Sequence, residues 1–213
     1  MQALGLMGGT FDPVHFGHLR LAEEALEALG LEAVRWIPSG RPGHRDPPLA
    51  SALHRVEMVR LAIADQPLFR LDVAETRTLD ETFTINTLHR LRRELGELRP
   101  LVMIVGMDSF LSLASWRAWQ DLFALAHFAV GERPGFMLSA QTMVGGLALE
   151  YARRTAEPDA VQRSPGGAIV TFPMTALDIS ATDLRERLGR GASARYLLPE
   201  TVLAYIRAHR LYR

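Results

Sequence analysis

The N-terminal segment constrains the fold more than any other part of the sequence. Residues 3–7 form a short apolar run that ends in Gly8 and Gly9, which is typical of a buried strand. Apolar residues then recur at helical spacing over residues 17–29, and residues 33–37 form a second apolar run. A strand, a helix and a strand at this spacing predict a βαβ unit, whose crossover we expect to be right-handed.

The same alternation continues along the chain. We predict further strands at residues 69–73, 101–105, 127–130 and 168–172. We predict further helices at residues 51–64, 84–95, 139–154, 180–188 and 199–210, and a short one near residue 115 that contains Trp116 and Trp119. Residues 38–48, rich in Pro and Gly, and the polar residues 157–167 are predicted loops.

Residues 101–105 read LVMIV, a continuous apolar run of the kind that parallel sheets bury on both faces. No internal repeat or change of composition divides the sequence. The pattern predicts an α/β fold, a Rossmann-like doubly wound parallel sheet with helices on both faces, in a single domain over residues 1–213. In such a sheet, ligands bind beyond the carboxyl ends of the strands.

Composition argues against several classes of protein. The chain has 24 Lys and Arg residues against 24 Asp and Glu residues, so it lacks the basic excess of a general nucleic-acid or membrane-surface binder. It has no cysteine, which excludes disulfides, thiolate metal sites and cysteine nucleophiles. We see no signal-peptide pattern and no apolar stretch of spanning length, and therefore expect a soluble, cytoplasmic protein.

The segment Gly8–His18, with the sequence GGTFDPVHFGH, carries the densest chemistry. Its glycines let backbone N–H groups approach a ligand closely, and the helix N-terminus that follows favours phosphate. His15 and His18 stand three residues apart, so both can face one point from the first helical turn. The segment predicts a polyphosphate site; packed or solvated histidines are the plain alternative, and a zinc site lacks an obvious third and fourth ligand.

A second phosphate element lies far along the chain. Ser180 begins a predicted helix as its N-cap, and the pattern Ser180-x-Thr182-x-x-Arg185 places a hydroxyl and a fixed cation in the first turns. Alone, this pattern favours an ordinary N-cap followed by a solvated arginine. Together with the two histidines, it favours a second half of the same anion site.

The segment Gly8–His18 resembles the signature of the HxGH nucleotidyltransferase superfamily, and more closely that of bacterial nicotinate-nucleotide adenylyltransferases. The resemblance covers essentially the whole chain, in family order. It includes the segments IP at 37–38, PGHR at 42–45, ADQP at 64–67, TFT at 82–84, VGMDS at 105–109, SW at 115–116, RPG at 133–135, ISAT at 179–182, LLP at 197–199 and LYR at 211–213.

The resemblance implies a set of site residues. His15, His18 and Arg185 are expected to be catalytic. Contacts with ATP are expected from Gly8, Gly9, Thr10, Phe11, Gly106, Asp108, Ile179, Ser180 and Thr182. Contacts with the mononucleotide are expected from Arg45, Thr84, Trp116 and Arg133.

Several of these residues also have plain interpretations. Arg45 and Arg133 are loop arginines, which are often solvated, and Asp108 could be a simple turn residue. Trp116 could pack in the core with Trp119. The chain also departs from the family at three positions: Gly43 stands where a second proline is usual, Phe83 where tyrosine is frequent, and Arg117 where an aromatic residue is frequent. The change at Arg117 touches the wall of the expected nicotinate pocket, so the resemblance does not define that wall.

The implied reaction is adenylyl transfer from ATP to nicotinate mononucleotide in NAD biosynthesis, giving nicotinate adenine dinucleotide and pyrophosphate. The resemblance also implies Mg²⁺, held mainly by substrate phosphates and water rather than by a protein metal site. ATP and nicotinate mononucleotide are the expected partners, with no nucleic acid and no membrane. A phosphopantetheine adenylyltransferase and a non-catalytic nucleotide sensor are the alternatives, and the oligomeric state and the acid or amide preference stay open.

Overall fold

The computed structural model describes residues 2–42, 47–78, 80–132, 135, 138–139, 141, 143 and 145–213. Within these residues, no helix is long and apolar enough to cross a membrane. Two of the expected mononucleotide contacts, Arg45 and Arg133, lie outside the described residues.

A six-stranded sheet forms the centre of the fold. Its strands are β1 (Leu4–Gly9), β2 (Ala33–Pro38), β4 (Phe69–Leu71), β6 (Leu101–Gly106), β7 (His127–Glu132) and β8 (Ile169–Pro173). The strand order is β4-β2-β1-β6-β7-β8, so the chain moves outward from β1 in one direction and then returns to build the other half. This order is the doubly wound arrangement and confirms the predicted fold class.

The parallel register is set by the apolar runs. Leu4 lies opposite Leu101 where β1 pairs with β6, and Val102 lies opposite His127 where β6 pairs with β7. Every residue from Leu101 to Val105 is buried, as expected for a central strand covered on both faces.

Eight α-helices lie in the described residues. They are α1 (Phe16–Ala28), α2 (Ala52–Ala62), α3 (Thr84–Leu95), α4 (Met107–Leu111), α5 (Leu122–Leu125), α6 (Gly146–Arg154), α7 (Ala181–Gly189) and α8 (Glu200–Ala208). Short 3₁₀ helices occupy Ala74–Arg77, Leu113–Ser115, Trp119–Asp121 and Pro158–Gln162. The helices predicted at α1, α2, α3, α7 and α8 are therefore confirmed within a few residues.

The predicted loop at 38–48 is wrong in one respect. Arg41–Pro42 forms a two-residue strand, β3, which pairs in parallel with β5 (Glu81–Thr82). Two residues are too few to show an alternating pattern in the sequence, so only the pairing itself reveals this ribbon.

The helix predicted near residue 115 is also wrong. Trp116 has an extended backbone, and it lies between two 3₁₀ turns rather than inside a helix. Ala118 adopts a left-handed conformation with φ 51°, which interrupts any helix that would join the two tryptophans.

The short helix α4 and the 3₁₀ turn Pro158–Gln162 were not predicted, since neither is long enough to display periodicity.

The helix predicted at 139–154 begins only at Gly146. Gly145 has φ 63°, a left-handed value that ends the possibility of a helix continuing through it.

The chain divides into two compact units, each made of several segments. The first consists of Met1–Met7, Leu21–Arg35 and Phe83–Thr175. The second consists of Gly8–Arg20, Trp36–Thr82 and Ala176–Arg213, and therefore contains the whole Gly8–His18 segment together with α7 and α8. The single domain expected over residues 1–213 stays a prediction.

Candidate active site

The segment Gly8–His18 is a tight connection from β1 to α1 within the second unit. A Cβ atom at Gly8 would meet no atom within 4 Å, so this part of the backbone faces open space. Phe11 has φ 51° and is only 2% exposed, and its ring packs at 5.3 Å from the ring of Trp36 and 5.1 Å from that of His18. The side chain of Phe11 therefore serves packing, and only its main chain is left for an ATP contact.

His15 and His18 form a close pair. Their ring centroids are 3.7 Å apart at 32°, and the backbone N–H of His15 donates to Nδ1 of His18 at 3.3 Å. An Nδ1 atom that accepts a hydrogen bond carries no proton in the neutral ring, so the proton of His18 lies on Nε2, where it can be donated.

Gly17 lies close to the ring of His15. A Cβ atom at position 17 would lie 3.0 Å from Nδ1 of His15 and 3.1 Å from its Cε1. With any larger residue between the two histidines, the imidazole of His15 would have to shift by a few tenths of an ångström.

Burial disfavours the protonated, charged form of both imidazoles. Burial lowers the pKa of His15 to about 4. Desolvation, and then repulsion from His15, lower the pKa of His18 well below its ordinary value. Nδ1 of His15 is buried and has no hydrogen-bond partner among the described residues, which is unusual for a buried polar atom and is typical of a place that a ligand completes.

Arg185 lies beside this segment. Ser180 is the N-cap of α7, and its hydroxyl accepts from the backbone N–H of Asp183 at 3.0 Å, so the predicted N-cap is confirmed. From the first turns of α7, Nη1 of Arg185 donates to the backbone carbonyl of Asp12 at 2.8 Å, and Nη2 donates to Oγ1 of Thr182 at 3.3 Å. These contacts use two of its five N–H groups.

The start of α7 borders a groove in the second unit. Ile179 and Ser180, both expected ATP contacts, line it together with Leu184 and Leu197. The carbonyl of Ile179 also lies 3.7 Å from the position of a Cβ at Gly17, so the two phosphate elements predicted from distant parts of the sequence meet here.

Four predicted residues of the described chain belong to the first unit. Gly106 ends β6, and Asp108 follows in α4. Thr84 is the first residue of α3 and is half-buried. The ring of Trp119 packs against that of Phe123 at 6.3 Å, and Trp116 lies in an extended stretch; both indoles are half-buried.

Two of the three departures from the family pattern, Phe83 and Arg117, contact each other. The guanidinium of Arg117 lies over the ring of Phe83, 4.7 Å from its centroid. Such a cation–π contact replaces the aromatic pair expected at these positions.

Comparison with known proteins identifies the family. The cytidylyltransferase-like family matches residues 6–187. A protein of Dechloromonas aromatica named "Probable nicotinate-nucleotide adenylyltransferase" is 54% identical over 213 residues, which is 100% of this chain and 98% of that protein. A protein of Hahella chejuensis with the same name is 43% identical over 208 residues, covering 97% of this chain and 94% of that one. The chain belongs to the nicotinate-nucleotide adenylyltransferase family.

A solved structure agrees on the fold. The nicotinic acid mononucleotide adenylyltransferase of Plasmodium falciparum, in complex with NaAD, aligns with a TM-score of 0.74 at 16% identity and covers 100% of this chain and 98% of that one. At this identity, the likeness concerns the fold alone.

The sequence analysis assigned no role to three residues, Asp12, Tyr212 and Arg55, whose hydrogen bonds fix the segment Gly8–His18. The carboxylate of Asp12, 4% exposed, accepts from the backbone N–H groups of Leu49 and Ala50 at 2.8 and 3.1 Å. It also accepts from the hydroxyl of Tyr212 at 2.6 Å. Arg55, 1% exposed, donates to the carbonyl of Thr10 at 2.7 Å.

One of the three left a signal in the sequence. Arg55 stands at helical spacing with Met58 and Val59 on the buried face of α2, and a charged residue on an apolar face must find a partner inside. Nothing in the sequence pattern links Asp12 to Tyr212, which is 200 residues away.

The described side chains do not supply a metal cage. Among them, no group of three His, Asp or Glu residues is placed to hold a metal ion.

Proposed function

We propose that this chain transfers the adenylyl group of ATP to nicotinate mononucleotide, forming nicotinate adenine dinucleotide and pyrophosphate. One observation carries the proposal for the chemistry: the His15–His18 pair, with the unpartnered Nδ1 of His15, lies in the segment against which Arg185 is held. The near full-length similarity to relatives of that name supports the choice of substrates.

The reaction exchanges one phosphoanhydride bond for another. An oxygen of the mononucleotide phosphate bonds to the α-phosphorus of ATP, and the bond from that phosphorus to the β-phosphate bridging oxygen breaks, releasing pyrophosphate. The nucleophile is largely a dianion at neutral pH, because the second pKa of a phosphate is about 6. The step therefore needs no general base, and catalysis depends on alignment and charge stabilisation.

The two histidines are suited to stabilise that charge. Nε2 of His18 carries a proton to donate, and a phosphate near either ring would favour its protonated form against the desolvation that lowers both pKa values in the free protein. Arg185 keeps three N–H groups beyond its contacts with described residues, and its cation is fixed in place by Asp12.

Neutral donors complete the proposed ATP contacts. The hydroxyls of Thr10, Ser180 and Thr182 are candidates, with the first N–H groups of α7, whose dipole favours phosphate. The main chain at Gly8, Gly9 and Phe11, and Ile179 beside the groove, offer further contacts. Gly106 and Asp108 are proposed for the ribose.

The acceptor contacts are proposed from Thr84 and Trp116, with Arg45 and Arg133 for the mononucleotide phosphate. An indole can stack on the pyridine ring, and the N–H groups at the start of α3 can meet its carboxylate. We also propose that Mg²⁺ enters with ATP and is held mainly by phosphate oxygens and water, since the described side chains form no cage for it.

Pyrophosphate release tests the proposal. The purified chain is supplied with ATP and Mg²⁺ and with one of three acceptors: nicotinate mononucleotide, its amide or phosphopantetheine. We expect turnover with the first and a much lower kcat/KM with the amide. Turnover of phosphopantetheine alone would contradict the assignment, and ATP binding without pyrophosphate release with any acceptor would indicate a sensor.

A further inference from the structure

Three side chains from elsewhere in the second unit donate hydrogen bonds to the segment that carries the two histidines. Arg55 donates to the carbonyl of Thr10, and Arg185 donates to the carbonyl of Asp12. The third contact is made by Tyr212, in the turn that follows α8, whose hydroxyl donates to Oδ1 of Asp12 at 2.6 Å.

Asp12 is therefore shared between two side chains that reach it from different elements. Its carboxylate takes the hydroxyl of Tyr212, and its main-chain carbonyl takes the guanidinium of Arg185. A contact that fixes the Asp12 carboxylate therefore also restricts the main-chain carbonyl of Asp12, which accepts from Arg185. Asp12 stands three residues before His15. A short hydrogen bond to a carboxylate is among the stronger kinds in proteins.

The hydroxyl of Tyr212 is well suited to this task. Desolvation, and next its hydrogen bond to Asp12, raise the pKa of Tyr212 far above its ordinary value, so the phenol stays a donor at any working pH. The carboxylate also keeps two backbone N–H partners, from Leu49 and Ala50, so removing the hydroxyl leaves Asp12 with hydrogen-bond partners.

We propose that Tyr212 is a positioning residue for adenylyl transfer: through Asp12 it holds Arg185 and the start of the histidine segment in the geometry that stabilises the transition state. The inference rests on the proposed function. It adds a residue that touches no substrate and acts only through Asp12.

Tyr212→Phe is the direct test, and Tyr205→Phe is its matched control. Tyr205, on α8, also makes a hydrogen bond with its hydroxyl, 2.9 Å from Nδ1 of His54, but it has no contact with Asp12 or Arg185 among the described residues. Loss of one charge-assisted hydrogen bond from the site should lower kcat about tenfold in Tyr212→Phe, with the KM for ATP changed by less than about twofold. Tyr205→Phe should keep kcat within about twofold of the parent.

Coupling to Arg185 separates positioning from a merely structural role. Arg185→Lys keeps the charge but loses the guanidinium fork. If Tyr212 acts through Arg185, adding Tyr212→Phe to Arg185→Lys should lower kcat by no more than about twofold further. A kcat unchanged in Tyr212→Phe, or losses that multiply fully in the double variant, would overturn the proposal.

Two further measurements keep the test decisive. Hydrogen exchange of the amides in residues 10–18 should quicken in Tyr212→Phe and not in Tyr205→Phe, and unchanged exchange would contradict the positioning role of Tyr212. This readout does not depend on turnover. A parent protein that released no pyrophosphate would overturn the proposed function and leave the exchange result valid. If Tyr212→Phe does not fold, Asp12→Asn weakens the same hydrogen bond from its other end and should lower kcat at a similar KM; an unchanged kcat there would overturn the inference.

Discussion

Histidine is buried in two regions of this molecule, and the two regions treat it in opposite ways. His127, in β7, is fully buried, yet both of its ring nitrogens are used: Nε2 bonds to the carbonyl of Ser164 at 2.8 Å, and Nδ1 accepts from the backbone N–H of Ala168 at 3.0 Å. His15, 6% exposed at the start of α1, keeps a buried Nδ1 without a partner.

The difference separates a structural histidine from a functional one. Burial lowers the pKa of both residues, so a lowered pKa alone does not distinguish them. What distinguishes them is whether the fold itself supplies the hydrogen bonds. A buried nitrogen that the fold leaves unpaired costs free energy, and such a cost is usually found where a ligand supplies the missing partner.

Removing His18 should have the largest effect on activity. We expect His18→Ala to lower kcat by about 10²–10³-fold, as for loss of one preorganised donor to a developing charge. The measurement is steady-state pyrophosphate release, with circular dichroism to establish that the variant is folded. His89→Ala, at an exposed position on α3, serves as the control. Near-normal turnover in folded His18→Ala would contradict the proposed mechanism.

Removing the hydrogen bonds of His127 should lower stability and leave activity nearly unchanged. His127→Phe keeps most of the buried volume but leaves the carbonyl of Ser164 and the N–H of Ala168 without their partner. We expect the free energy of unfolding to fall by about 2 kcal/mol, while kcat of the folded protein changes by less than about twofold. Urea unfolding and pyrophosphate release measure the two quantities. A large loss of kcat at unchanged stability would show that the comparison is wrong.

The same contrast explains how much of the site could be predicted from the sequence. His15, Gly17 and His18 are local in the chain, so their types and spacing alone indicated an anion site, and Ser180 with Arg185 repeated the indication. The contact of Arg185 with Asp12 spans 173 residues and that of Tyr212 with Asp12 spans 200, and no local pattern records such pairings.

The fold was predictable for a related reason. Apolar runs and helical periodicity identified every strand of the six-stranded sheet, and the alternation of strands and helices indicated the doubly wound order. Elements that depend on single backbone angles were missed, such as the interruption at Ala118, because sequence periodicity carries no information about them.

The pH dependence of stability gives the smallest effect and tests the unpartnered histidine directly. The pKa of His15 is about 4 in the folded protein and near the ordinary 6.5 when unfolded. Between these values the unfolded chain binds more protons, so the free energy of unfolding falls as the pH drops below 6.5. One such group contributes at most about 1.4 kcal/mol per pH unit.

His15→Gln removes this group while keeping a polar side chain of similar length. Urea unfolding at pH 6.5 and pH 5 should show a smaller loss of stability in His15→Gln than in the parent, by up to about 2 kcal/mol. Saturating ATP should reduce the pH dependence of the parent's free energy of unfolding, because a bound phosphate favours protonated His15 and His18. The contribution of His127 should persist, since its nitrogens are already bonded within the fold. Equal slopes in the parent and His15→Gln would mean that burial does not hold the imidazole of His15 neutral, and would contradict this prediction.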